Sequence, residues 1–377
     1  MALDLHQFGD KLKRYRNQLQ LTVANVAAGT GIAEVRIADI EAGKAAPTGD
    51  EVLIFADFYK CDYRFFISNE RLAPFEQTEN LYRRHGTEFS RDDRWRVQEF
   101  LFLCECEEFL IHSLQRSRSK FQYVPKGTYF KGHGELTAMS LRQHFHYEAE
   151  AVPSDIYKDF RQIGIHVFRR HLLNSNISGV MIRHPFAGPC VLVNYSEDIY
   201  RQRFTVAHEA AHAILDQEEF VVSFESARDD LVEIRANTFA SRYLLPPELL
   251  KKIPVSKWGT GEIVQWASKL KVSTSALAIG LKESGLVNEN VYRELVKVRV
   301  PADLKSDPEL DNLSGRSLER KRSMLERGLS YFYVSLCFDA LSQGIITNAK
   351  AAEMLLTTED LLAELSDLFG VKLLIHE

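Results

Sequence analysis

The run His208-Glu209-Ala210-Ala211-His212 carries the clearest chemical signal in this chain. On a helix, residues four apart share a face, so both imidazoles can bind one metal ion. Glu209 then stands where it can take a proton from water held at that metal. The flanks, Arg203-Phe204-Thr205-Val206-Ala207 and Ala213-Ile214-Leu215, are apolar and alanine-rich, as a buried helix should be. Histidines buried there without partners would be costly, and a metal ion is one such partner. The bland alternative is a pair of hydrogen-bonded core histidines beside a surface glutamate.

Catalytic zinc commonly takes three protein ligands and keeps one position open. After His212 no histidine occurs until His376, and Leu215 and Glu218 occupy the positions where a longer motif would place a glycine and a third histidine. A nearby downstream ligand must therefore be a carboxylate: Asp216, Glu218, Glu219, Glu225, Asp229, Asp230 or Glu233. Glu233 is the best of these. It opens a second alanine-rich stretch in which Ala236, Asn237 and Ala240 share its face, small enough for close helix contact, whereas the others sit in a charged loop. With Zn2+ bound, Glu209 is expected to accept a proton from water and pass it to the leaving amine. Tyr195, Tyr200, Arg203 and Tyr243 are near in sequence as donors to a developing oxyanion, and nothing in the sequence chooses among them.

The elements that must position this site are two helices, at about 201–215 and 229–244, the second stopped by Pro246-Pro247. Before them, 164–168, 177–182 and 190–193 read as short strands. The last two form a hairpin around 184–189, whose edge could take an extended peptide as an added strand. Helices are expected at 136–146 and 154–162, and after 290, where 329–341 ends at Gly344 and Thr347 caps 348–355. Thr357 with Asp360 resembles a capping box for a last helix.

Nearer the N-terminus, 8–70 reads as short helices, with Thr22 capping 23–28 and Gly43 closing 33–42. A longer helix at 91–114 is apolar on most sides. Segment 116–134 holds five basic residues, no acidic ones, four aromatics and paired glycines, and reads as a connector in preference to a single-strand nucleic-acid binder. At 377 residues the chain has room for two or three cores, here divided as 1–72, 73–134, 135–285 and 286–377. A composition of 45% hydrophobic and 26% charged residues is that of an ordinary globular protein, and a net charge of −5 gives no global attraction to nucleic acid or anionic membrane. No secretory signal or transmembrane run is visible, and five scattered cysteines read as reduced thiols of a cytoplasmic protein.

The stretch from Arg203 to His212, followed by Glu233-x-x-Ala236-Asn237-x-Phe239-Ala240 and Leu244-Leu245-Pro246, resembles the ImmA/IrrE family of metallopeptidases. The resemblance covers about 135–285. It implies an α+β zinc domain that cleaves a helix-turn-helix repressor, with His208, His212 and Glu233 as zinc ligands and Glu209 as acid/base. Residues 8–70 resemble the XRE class of helix-turn-helix through Ala27-x-x-x-Gly31-Ile32-x-x-x-x-Ile37 and Ile40-Glu41-x-Gly43-Lys44-x-x-Pro47. That implies a second helix in the major groove of double-stranded DNA, with Glu34 and Arg36 nearest the bases and Lys44 or Thr22 near phosphates. Residues 1–70 hold 8 Lys/Arg against 10 Asp/Glu, however, so DNA binding and protein docking both stay open.

The expected fold is multidomain and mainly α: an all-α helix-turn-helix domain, an α+β zinc-peptidase domain with a small antiparallel sheet, and a helical C-terminal domain. The expected function is a zinc metalloendopeptidase acting on a repressor, gated by its flanking domains and without membrane partners. The alternative is a non-catalytic transcriptional regulator or antitoxin-like module with a structural zinc. The presence of Glu209 favours catalysis.

Overall fold

The computed structural model describes residues 3–68, 76–127, 130–153, 155–216, 220–224, 231–305, 307–310, 313 and 315–371. The chain divides into two units, one of 1–105 with 184–186 and the other of 106–183 with 187–377.

The first unit holds helices α1 (Leu5–Gln18), α2 (Val23–Thr30), α3 (Glu34–Glu41), α4 (Gly49–Tyr59), α5 (Tyr63–Ile67) and α6 (Glu76–His85). Thr22 starts α2 with a reciprocal cap: its side chain accepts from Asn25 N while the Asn25 side chain returns to Thr22 N. Gly31, at φ 72°, ends α2 in the left-handed region and turns the chain sharply into α3. Phe8, Leu12 and Tyr15 of α1 pack with Val26, Ile37, Ile40, Phe55 and Tyr59 in one core, with Ala27 and Ile32 at its margin.

Helix α7 (Arg91–Ser113) contains the division between the units. As its pattern requires, Val97, Phe100, Leu101, Leu103, Cys104 and Leu110 are all buried.

The second unit runs α8 (Phe130–His144), α9 (Ile156–Gln162), β1 (His166–Arg170), β2 (Ile177–His184), β3 (Gly188–Asn194), α10 (Ile199–Leu215), β4 (Phe220–Phe224) and α11 (Leu231–Leu244). Short helices follow: α12 (Pro247–Lys251), α13 (Thr260–Leu270), α14 (Thr274–Glu283), α15 (Glu289–Leu295), α16 (Gly315–Glu326), α17 (Tyr331–Ser342), α18 (Asn348–Met354) and α19 (Leu362–Phe369). Thr347 does cap α18, through Lys350 N, but α19 is entered through a 3-10 turn at Glu359–Leu361 with no side-chain cap.

Three expectations are corrected. The sheet, of order β1-β3-β2-β4, is mixed, not antiparallel: β1 pairs parallel with β3 and β2 pairs antiparallel with β4. The link from β1 skips one strand position, and β3 returns into the gap. In consequence the β2/β3 pair is interior and offers no free edge; the edges are β1 and β4. Strand β4 went unread because it is five residues long and embedded in a charged stretch. Finally, α8 begins at Phe130, not at 136, and takes in glycines that read as part of the connector. Gly134 is there for contact: a Cβ on it would lie 2.3 Å from Arg235 O and 3.0 Å from Phe239 N, so its absence lets α8 press against α11.

At the start of β1, His166 is fully buried, its Nδ1 2.8 Å from Glu107 Oε1 and its Nε2 3.2 Å from Glu108 Oε2. Burial pulls its pKa down, but the two carboxylates outweigh this and raise it from 6.5 to about 9. The contribution to stability is therefore complete below about pH 6.5 and lost as pH rises through about 9. Denaturant midpoints should fall over that window in the native chain. In His166→Gln the fall should flatten, and an unchanged slope would assign it to other groups.

All five cysteines are free thiols. No described helix is long and apolar enough to cross a membrane.

Candidate metal centre

Helices α10 and α11 meet through small side chains: Ala207, Ala210 and Ala211 on one and Ala236 and Ala240 on the other are buried in a shared core. Close approach of the two backbones brings three polar side chains to one point. His208 Nε2 and His212 Nε2 lie 3.1 Å apart, one helical turn from each other. Glu233, in the first turn of α11, sets Oε2 3.1 Å from His208 Nε2 and Oε1 3.4 Å from His212 Nε2. Ligand atoms of the three residues all fall within 4.8 Å of one another.

The far sides of the imidazoles fix their tautomers. His212 Nδ1 is 2.5 Å from Asp216 Oδ2, and since a carboxylate only accepts, Nδ1 carries the hydrogen. His208 Nδ1 donates to Asn237 Oδ1 at 3.1 Å. Neutral imidazoles held this way present two Nε2 lone pairs to each other, an arrangement that calls for a cation between them. Zinc–nitrogen bonds of about 2.0–2.1 Å at a tetrahedral angle put two nitrogens about 3.3 Å apart. The 3.1 Å spacing and the N, N, O donor set therefore fit zinc. Burial works to raise the Glu233 pKa, yet its contact with the two histidines outweighs this and holds it at about 2, so it is ionised as a ligand must be.

Glu209 lies on the same helix and is fully buried. Neither oxygen finds a hydrogen bond of ordinary geometry among the described residues. Burial raises its pKa, against the lowering influence of the two imidazoles and of the Ser223 hydroxyl. Beneath it, β2 and β4 pair Gly179 with Ser223. A Cβ at Gly179 would come 2.5 Å from Glu209 Oε1, so the missing side chain is the room the carboxylate occupies. Gly179→Ala should displace it and, since a misplacement of about 1 Å costs on the order of 10²-fold, depress any turnover that depends on Glu209. Zinc content should be unchanged. Full activity in a folded Gly179→Ala protein would separate Glu209 placement from catalysis.

Among the other carboxylates weighed, Asp216 orients His212 from behind and pairs with Arg235, while Glu218, Glu219, Glu225, Asp229 and Asp230 lie outside the described residues. Asp216, weighed above as a ligand, and Asn237, read only as part of a small packing face, instead stand against the far nitrogens of the two imidazoles. The available signal was spacing: Asp216 follows His212 by four, and Asn237 follows Glu233 by four. Asp216→Ala should weaken zinc about 10–100-fold, read by competition with a chromogenic chelator, and an unchanged affinity would remove Asp216 from that role. The four oxyanion donors considered are held by other partners: Tyr200 by the Ser268 and Leu304 carbonyls, Arg203 by Pro153 O, Tyr243 by Asp159, and Tyr195 against Arg169.

In the helix-turn-helix, Arg36 on α3 is forked onto Glu51 at 2.8 Å and also donates to Ala46 O. Glu34, Val35 and Ala38 form the exposed face of α3; Thr22 is an exposed cap, and Lys44 is exposed beyond the helix.

Two imidazoles and a carboxylate converging on one point, with a second carboxylate buried beside them, are the parts of a metal-assisted hydrolase. Residues 160–282 match a peptidase family model, described as the IrrE N-terminal-like domain, and residues 7–63 match a helix-turn-helix domain model. These two matches agree with the two resemblances drawn from the sequence, to the ImmA/IrrE family and to a helix-turn-helix class. No curated protein matches the chain.

Proposed function

We propose that the chain is a cytoplasmic zinc-dependent endopeptidase that cleaves a transcriptional repressor. The carrying observation is Glu209: a buried carboxylate without a hydrogen bond of ordinary geometry among the described residues, beside two imidazoles turned toward Glu233. Leaving such a group unsatisfied costs roughly 1–3 kcal/mol or more, which a non-catalytic module with a structural zinc has no reason to bear. His208, His212 and Glu233 would hold the metal, and Asp216 and Asn237 fix the imidazoles. Zinc, when bound there, lowers the pKa of water towards neutrality and polarises the scissile carbonyl. Glu209 takes the water proton and gives it to the leaving amine, and a pKa raised by burial suits both halves of that transfer. The substrate would lie extended along β4, an edge strand whose Ser223 stands beside Glu209.

The test is incubation of the purified full chain with the helix-turn-helix repressors of its own genome, any encoded by an adjacent gene first. A discrete cut, stopped by chelation and restored by zinc, is expected. An intact repressor in the presence of zinc-loaded protein would overturn the assignment of substrate.

For the N-terminal domain, the exposed face of α3 favours docking onto protein over reading of bases, because Arg36 is turned back onto Glu51 and the outward residues are acidic or apolar. Binding to duplex DNA with the steep salt dependence of many phosphate contacts would reverse that preference.

A further inference from the structure

The second unit holds a cavity of about 450 Å³ away from the metal centre, between α9, β1 and the start of α10 on one side and residues 307–309 and 321–332 on the other. That volume is within the range of small-molecule sites. Three carboxylates line it, and each is committed. Asp307 pairs with Arg169 at 2.7 and 3.2 Å. Glu309 accepts from Tyr331 N, and Asp155 accepts from Lys158 N.

The lining cations are not matched in the same way. Arg161, Arg203, Lys271 and Lys321 line the cavity, and none has a carboxylate partner among the described residues. Arg203 is only 4% exposed; one nitrogen donates to Pro153 O at 2.9 Å, and its Nε is buried with no partner. Arg161 is half-buried, with Nη2 on Val167 O and a buried Nε without a partner among the described residues, its guanidinium over the Phe332 ring at 4.6 Å. The Tyr157 hydroxyl, on the same wall, is also buried without a partner. Buried donors of this kind are costly unless something accepts from them. Burial pulls the Arg203 pKa down, against the raising influence of Tyr157, Asp155 and Asp159 nearby. The remainder of the wall is apolar, with Phe168, Ile199, Leu325 and Phe332.

We propose that this cavity binds a small organic anion, with its head group on Arg203, Arg161 and the Tyr157 hydroxyl and a ring-sized apolar body against Phe332 and Leu325. Carboxylate and phosphate heads share the chemistry those donors recognise. Arg203 lies on α10, five residues before His208, so one rigid helix joins the occupant to the metal centre. Binding itself does not depend on the peptidase reading and is measured without it.

The experiment is calorimetric titration of the zinc-loaded full chain with phenyl phosphate, benzoate, inorganic phosphate and benzyl alcohol. Saturable binding of phenyl phosphate or benzoate at one site per chain is expected, with inorganic phosphate weaker and benzyl alcohol inert. Arg203→Met should weaken it about tenfold or more. Should that variant fail to fold, Tyr157→Phe removes one hydroxyl at constant shape and should weaken binding several-fold. The proposal is overturned if neither organic anion binds, if inorganic phosphate binds as tightly as phenyl phosphate, or if binding is unchanged in the folded variants.

Discussion

Glu209→Gln is expected to keep its zinc and its fold while losing proteolysis by about 10²–10⁴-fold, the usual worth of a positioned proton acceptor. The group that could hold a metal is His208, His212 and Glu233, so the substitution removes no proposed ligand atom. It also removes no structural hydrogen bond, because neither Glu209 oxygen makes one of ordinary geometry among the described residues. A neutral amide is easier to bury than a carboxylate, so thermal stability should be equal or higher. Turnover of the repressor and elemental zinc, measured on the same preparation, check both halves. Cleavage at the native rate would end the acid/base assignment, whatever the metal content.

The second large effect is on the metal. The native chain should carry one zinc, and His212→Ala and Glu233→Ala should each weaken it by on the order of 10²–10³-fold, taking about 10–16 kcal/mol as the worth of a four-ligand site. Glu233→Ala should in addition leave His208 Nε2 and His212 Nε2 facing each other at 3.1 Å without the carboxylate that now lies against both. Undiminished zinc in both variants would place the ligands elsewhere.

Much of this site was legible because its chemistry is local in sequence. The spacing of His208 and His212 on one helix dictates a shared face, and the lack of nearby histidines drives the search to a carboxylate. Glu233 stood out by its small neighbours, which the packing of α11 on α10 explains. What sequence could not give is what comes from pairing at a distance. Gly179 looks like any strand glycine until β2 is set beneath Glu209. Strand β4 is too short and too polar in its surroundings to read by alternation. The glycines near 134 read as part of a connector, because the helix–helix contact that places Gly134 inside α8 is not visible locally. In the first domain, the turn at Gly31 and the cap at Thr22 are legible locally, whereas the fork of Arg36 onto Glu51, fifteen residues away, is not.

The ligands of the proposed zinc come from two helices, and between His212 and Glu233 the chain leaves α10, forms the edge strand β4 and returns as α11. A bound ion would therefore act as a rivet closing that excursion as well as a reagent. With free zinc at a thousand times its dissociation constant, the folded state would gain about 4 kcal/mol over the metal-free one. The loss on chelation would fall first on the segment anchored at both ends by the ligands, which is where β4 lies. Metal supply would then set whether the strand proposed to receive substrate is formed at all, making zinc starvation a way to disarm the protein without removing it.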